Sequence, residues 1–202
     1  MVTDKDLVDL LEDVDRYLKG TVIIIAIGGT AMTLTGMKDS TIDVDLDVPN
    51  AQQFKELKNT LLQIGFSNIR PGGSNLKVMA PNGIILDLFS QNYIFGVQLV
   101  EPLKTISIKQ FKHINLQAIG PYDLIITKTA RSDTRDFDDI LALARMQTID
   151  FGKLFQRFKN TYDSGSHIQN GPQLFKDMLI FLERKGVSVP KQILDEVKKW
   201  AE

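Results

Sequence analysis

The sequence predicts an α/β (α+β) protein: a small mixed sheet flanked by helices, followed by a C-terminal helical part. Three observations carry that prediction. Apolar residues recur at helical spacing near the start, as at Leu7, Leu10, Leu11, Val14 and Leu18. Short β-branched or alternating runs follow at residues 21–27, 42–48 and 84–90, each bounded by Gly, Pro or Asn. After Gly120-Pro121 strand patterning stops and helical patterning takes over. The expected division is an α/β unit over residues 1–119 and a helical region over residues 120–202.

Each element follows from local chemistry. Thr3 is placed to cap the first helix, with Asp6 three residues on completing a capping box, and Gly20 ends it. Residues 21–27 are β-branched and nearly all apolar, which predicts a central strand buried on both faces. Gly28-Gly29 turns the chain into a short helix over residues 30–34. Residues 42–48 predict an acidic strand that Pro49-Asn50 stops. Residues 51–64 predict a helix with Phe54, Leu57, Leu61 and Ile64 inward, closed by Gly65. Strands are expected at residues 66–70, 76–80 and 84–90, with turns at Pro71-Gly72-Gly73-Ser74 and Pro81-Asn82-Gly83. Two further short strands are expected at residues 105–108 and 114–118. Pro121 suits the first turn of a helix. From Tyr122 on, helices run with breaks near Ser132-Asp133, Asp150, Ser164-Gly165-Ser166 and residues 186–190. Phe151, Phe155, Phe158 and Phe175 belong to the core of these helices.

Composition narrows the function. There is no cysteine, which excludes disulfides, zinc–thiolate sites and thiol catalysis. A net charge of −1 gives no global field toward nucleic acid or membrane. The charged start, Met1 to Asp6, and the lack of any apolar run of about 18 residues predict neither signal peptide nor membrane span, and with them a cytoplasmic location.

The chemistry concentrates in the acidic strand. Strand side chains alternate faces, so Asp43, Asp45 and Asp47 share one face and Ile42, Val44, Leu46 and Val48 the other. Carboxylates two apart on a strand stand roughly 6–7 Å from each other and repel unless a cation sits among them. A divalent metal is the obvious candidate, because hard cations take carboxylate oxygens. The plain alternative is the wet face of an edge strand, and Asp47 in particular reads that way. Asp87 lies in Ile84-Ile85-Leu86-Asp87-Leu88-Phe89, apolar on both faces, so it is ion-paired, metal-bound or strongly raised in pKa. Gly28-Gly29 allows a close approach of backbone to phosphate, or else is a simple strand-to-helix turn. Lys128 and Arg131, three apart on one helix face, are either phosphate-binding or ordinary helix charges. Arg135, Asp136 and Asp139 read as helix-surface ion pairs or caps.

Together these pieces resemble the signature of the nucleotidyltransferase (polymerase-β-like) superfamily. Gly28-Gly29-Thr30, a spacer, Asp43-Val44-Asp45-Leu46 and a later acid in Ile85-Leu86-Asp87-Leu88-Phe89 stand in its order. The nearer likeness is to small prokaryotic nucleotidyltransferase-like proteins of the toxin and abortive-infection type. Their pattern is matched by Gly28-Gly29-Thr30-Ala31, Thr41-Ile42-Asp43-Val44-Asp45, Lys128 with Arg131, and Arg135-Asp136-Phe137-Asp138-Asp139. The likeness covers roughly residues 20–145.

That resemblance implies a nucleotidyltransferase fold and a Mg²⁺-dependent enzyme, with Mn²⁺ as substitute, moving a nucleoside monophosphate from an NTP to a hydroxyl acceptor with release of pyrophosphate. Asp43 and Asp45 would be metal ligands and Asp87 the third ligand or the base. Gly28, Gly29 and Thr30 would contact phosphates, with Lys128 and Arg131 clamping them. The acceptor would be tRNA, a protein or a small molecule. The alternative is a non-catalytic member that binds nucleotide or a cognate partner protein, for example a toxin–antitoxin component.

Overall fold

In the computed structural model, which describes residues 1–70 and 75–202, the chain forms two units. One comprises Met1–Ile94 with Lys104–Gly120, the other Phe95–Leu103 with Pro121–Glu202. The turn expected at residues 71–74 lies outside the described residues.

The first unit holds helices α1 (Asp4–Asp15), α2 (Gly28–Leu34) and α3 (Ala51–Gln63). Its strands are β1 (Val22–Ala26), β2 (Val44–Val48), β3 (Ser67–Arg70), β4 (Leu76–Met79), β5 (Ile85–Ser90) and β6 (Tyr93–Ile94). After β7 (Val97–Gln98), which belongs to the second unit, β8 (Thr105–Gln110) and β9 (Ile114–Ile119) return to it. The sheet runs β3-β4-β5-β2-β1-β9-β8, with β6 beside β5. It is mixed: β2 runs parallel to β5 and β1 parallel to β9, while β1–β2, β3–β4, β4–β5 and β8–β9 are antiparallel.

The acidic strand β2 is therefore interior, not an edge, which corrects the wet-edge expectation. Val44, Leu46 and Val48 are fully buried, as the alternation predicts. Asp47 is fully buried too, with Ile25 and Phe89 as its cross-strand neighbours, so it is no solvated acid. β1 departs from expectation in the other direction: Ile23 is 36% exposed, so that end of the strand is covered on one face only.

Helix α1 starts at the Thr3–Asp6 capping box and buries Leu7, Leu10, Leu11 and Val14. It stops at Asp15, short of Gly20, and Asp15 is itself buried. Its buried carboxylate accepts the N–H groups of His113 and Ile114, each at 2.7 Å, and ties the helix end to the start of β9.

The second unit contains α4 (Pro121–Arg131), α5 (Thr134–Met146), α6 (Phe151–Asp163), α7 (Gly171–Arg184) and α8 (Lys191–Trp200). Its breaks fall where Ser, Gly, Asp and Pro interrupt the helical pattern. Phe158 and Phe175 are fully buried with ring centroids 4.6 Å apart, and Trp200 meets Phe158 edge-on. Arg157 holds the segment of residues 95–103 to these helices. It pairs with the buried Asp123 at 2.8 Å and donates to the carbonyl of Val100 at 2.5 Å. Among the described residues no helix is long and apolar enough to cross a membrane.

Candidate functional site

The site is built where β1 turns into α2 beside the start of β2. Gly28 has φ 55°, which favours glycine, and is buried. Gly29 is required for space: a Cβ there would lie 2.8 Å from the Thr41 hydroxyl. That hydroxyl donates to the carbonyl of Asp43 at 3.0 Å. Thr30, fully buried, works on the same segment. Its hydroxyl accepts the N–H of Asp45 at 2.8 Å and reaches the Asp43 carbonyl at 3.4 Å. The backbone N–H of Ile27 donates to the Asp45 carbonyl at 3.1 Å. The glycine turn is thus laced to the acidic strand through backbone groups of Asp43 and Asp45. Thr30, expected at a phosphate, has its hydroxyl inside this lacing.

The carboxylates come together by strand register. Asp45 stands directly opposite Asp87 across the parallel β2–β5 pair, so both side chains rise from one face. On the other side of β5, Lys77 of β4 stands opposite the same Asp87. Lys77, Asp87 and Asp45 therefore form one row across three neighbouring strands, and Asp43 lies just before β2. The Lys77 ammonium is 2.9 Å from one oxygen of Asp87, and the Asn75 side-chain amide donates to the other at 3.0 Å. Hydrogen bonding to Asp87 raises the Lys77 pKa above the ordinary lysine value. Burial works against this, while the charges of Asp87, Asp43 and Asp45 add to it.

As these side chains stand, no three acidic or histidine side chains among the described residues close on a common point. The oxygens of Asp87 are turned to Lys77 and Asn75 instead. In kind, however, the donor set suits a hard divalent cation, and the lysine ammonium is a stand-in positive charge among its carboxylates. Sequence reasoning missed Lys77 and Asn75. The alternating strand Leu76-Lys77-Val78-Met79 placed a cation on one face, but only register says which acid it meets.

Lys128 and Arg131 lie on α4 in the second unit. Lys128 is 3% exposed, with its ammonium 2.6 Å from Asp139 and 3.2 Å from Asp136 of α5. Arg131 grips Asp136 with two hydrogen bonds of 2.7 and 2.6 Å and lies 4.6 Å over the ring of Phe95. Asp136 is fully buried rather than on the helix surface, and it does cap α5, its carboxylate accepting the N–H of Asp133 at 3.3 Å. Burial alone would push its carboxyl pKa up. The hydrogen bonds and charges of Arg131 and Lys128 outweigh that and hold it below the usual carboxylate value. These ions bind α4 to α5. Arg131 keeps 41% of its side chain exposed, whereas Lys128 is enclosed.

Comparison with known proteins gives a family and distant structural likenesses. Residues 2–178 match the model of a family described as nucleotidyltransferase of unknown function (DUF6036). No protein of curated function matches. A crystal structure from Thermotoga maritima, provisionally described as a nucleotidyltransferase, is similar at 12% identity and TM-score 0.42, covering 59% of this chain and 80% of its own. A second, from H. pylori and described in the same provisional way, is similar at 15% identity and TM-score 0.44, covering 96% and 90%.

Proposed function

We propose that this chain, which belongs to the family described as nucleotidyltransferase of unknown function, transfers a nucleoside monophosphate from an NTP to a hydroxyl acceptor with divalent-metal help. The observation that carries this reading is the cross-strand opposition of Asp45 and Asp87 beside a glycine turn laced to Asp43 and Asp45. Asp43, Asp45 and Asp87 would hold Mg²⁺, or Mn²⁺ in its place. The bound ion would activate the attacking oxygen and neutralise charge on the departing pyrophosphate.

The chain's own residues have separable parts in this reading. Gly28 and Gly29 offer backbone without side chains to the phosphates. Thr30 keeps Asp43 and Asp45 in register with that turn. In the transfer, the acceptor hydroxyl oxygen forms a bond to the α-phosphorus and the bond to the bridging oxygen breaks. Pyrophosphate leaves with that electron pair, and the hydroxyl proton passes to a base. Each Asp87 oxygen accepts one hydrogen bond, from Asn75 or from Lys77, so as ligand or as base Asp87 would use a remaining lone pair or exchange one of these donors. Lys128, enclosed by Asp136 and Asp139, acts by holding α4 to α5. Arg131 is the cation of the two with surface to offer a phosphate.

The test is to incubate the protein with each α-³²P-labelled NTP, Mg²⁺ and lysate of the source cells, and to identify what becomes labelled. Label should enter one acceptor class and should fall to background in Asp45→Asn and with EDTA. Label that ignores both overturns the reading. One observation favours a second reading, a non-catalytic nucleotide- or partner-binding member such as a toxin–antitoxin component: the pairing of Asp87 with Lys77. Metal-dependent NTP binding without any labelled product selects it.

A further inference from the structure

We propose that Lys77 is the resident counter-cation of the acidic row, so that a divalent ion binds at Asp87 in competition with the lysine ammonium. The inference rests on the reading of Asp43, Asp45 and Asp87 as metal ligands and adds a residue to that site. The sheet places Lys77, Asp87 and Asp45 in one row on β4, β5 and β2. Lys77 reaches Asp87 at 2.9 Å, and the pair is mostly enclosed, at 29% and 13% side-chain exposure. A cross-strand ion pair of opposite charges stabilises a sheet. Here it also has a second consequence, because the same ammonium lies in the field of Asp43 and Asp45.

Without a cation these carboxylates repel. Lys77 lowers that repulsion, its one positive charge standing against the two carboxylates of the row. Asn75 fixes the second oxygen of Asp87 and so sets the orientation from which that carboxylate must turn. In this proposal a metal that takes the Asp87 oxygen held by Lys77 displaces the ammonium, which remains tethered to β4 beside the site. Lys77 is thus a positioning residue that sets how tightly the site holds metal. An ordinary surface ion pair would affect stability alone.

The experiment is a Mn²⁺ titration of the full chain, following free Mn²⁺ by electron paramagnetic resonance, for wild type, Lys77→Met and Lys77→Arg. Lys77→Met should bind Mn²⁺ about fivefold more tightly, the ratio for removing a competing ion pair of about 1 kcal/mol. Lys77→Arg, which keeps the charge, should stay near wild type. Equal or weaker binding by Lys77→Met, or equal tightening by Lys77→Arg, overturns the competition while leaving the metal site standing. Mn²⁺ binding by none of the folded proteins overturns the metal reading and this inference with it. Should Lys77→Met fail to fold, Lys77→Gln carries the same expectation, since its amide can still donate to Asp87 without charge.

Discussion

Gly29 shows how one missing side chain organises the site. A methyl group there meets the Thr41 hydroxyl at 2.8 Å, too close to stay, and that hydroxyl must then leave the carbonyl of Asp43. Gly29→Ala should therefore cost about 1 kcal/mol, roughly one hydrogen bond. In a Thr41→Ala background the clash disappears, because the Thr41 Cβ stands 3.6 Å away, an ordinary contact. The loss from Gly29→Ala should then be smaller. A double-mutant cycle from urea unfolding measures the coupling, and additive losses would rule out this cause. At this scale the sequence shows residue types well and partners poorly. The glycines and Asp43, Asp45 and Asp87 stand out because glycine pairs and acids in apolar strands are chemically odd. That Thr30 bonds Asp45, or that Lys77 meets Asp87, depends on register, which no local pattern contains.

The joint between α4 and α5 is the clearest device at the scale of elements. The helical spacing and the break near Ser132-Asp133 are legible in sequence, since polar capping residues interrupt apolar periodicity. The burial of the charges between the helices is not, because Lys128, Asp136 and Asp139 read equally well as surface residues. Asp136 is the hinge of the electrostatics, taking hydrogen bonds from both Lys128 and Arg131. Asp136→Asn should destabilise by about 3 kcal/mol or more, since it leaves two cations with one fewer buried carboxylate. The sign with pH follows from its lowered folded pKa. Such a group contributes stability above the unfolded carboxylate value, near 4, and loses it as pH falls through the folded value. The stability gap between wild type and Asp136→Asn should stay constant near neutral pH and close below about pH 4. Denaturant midpoints measured across that range check it; a gap that widens in acid would contradict the assignment.

For the whole molecule, the decisive fact is a sheet order that does not follow the chain. β5 lies beside β2 although β3 and β4 intervene in sequence, and β9 lies beside β1. Alternation and breaker residues make the strands themselves readable; their order depends on long-range pairing that a local pattern does not encode. The order matters because it brings acids from two distant strands and the glycine turn to one end of one sheet. If that end binds a nucleotide through metal, the native state gains free energy that the unfolded chain does not. NTP with Mg²⁺ at about one hundred times its Kd should stabilise by about 2.7 kcal/mol, a rise in Tm of roughly 5–10 °C for a chain of this size. EDTA or Asp45→Asn should abolish the rise. Because the chain forms two compact units, melting can show two transitions. The ligand should then shift the transition that Asp45→Asn also moves, which assigns the binding to the unit carrying the acidic row. A rise in Tm that survives both EDTA and Asp45→Asn would mean that the nucleotide binds without the carboxylates, and the metal-dependent transfer would lose its foundation.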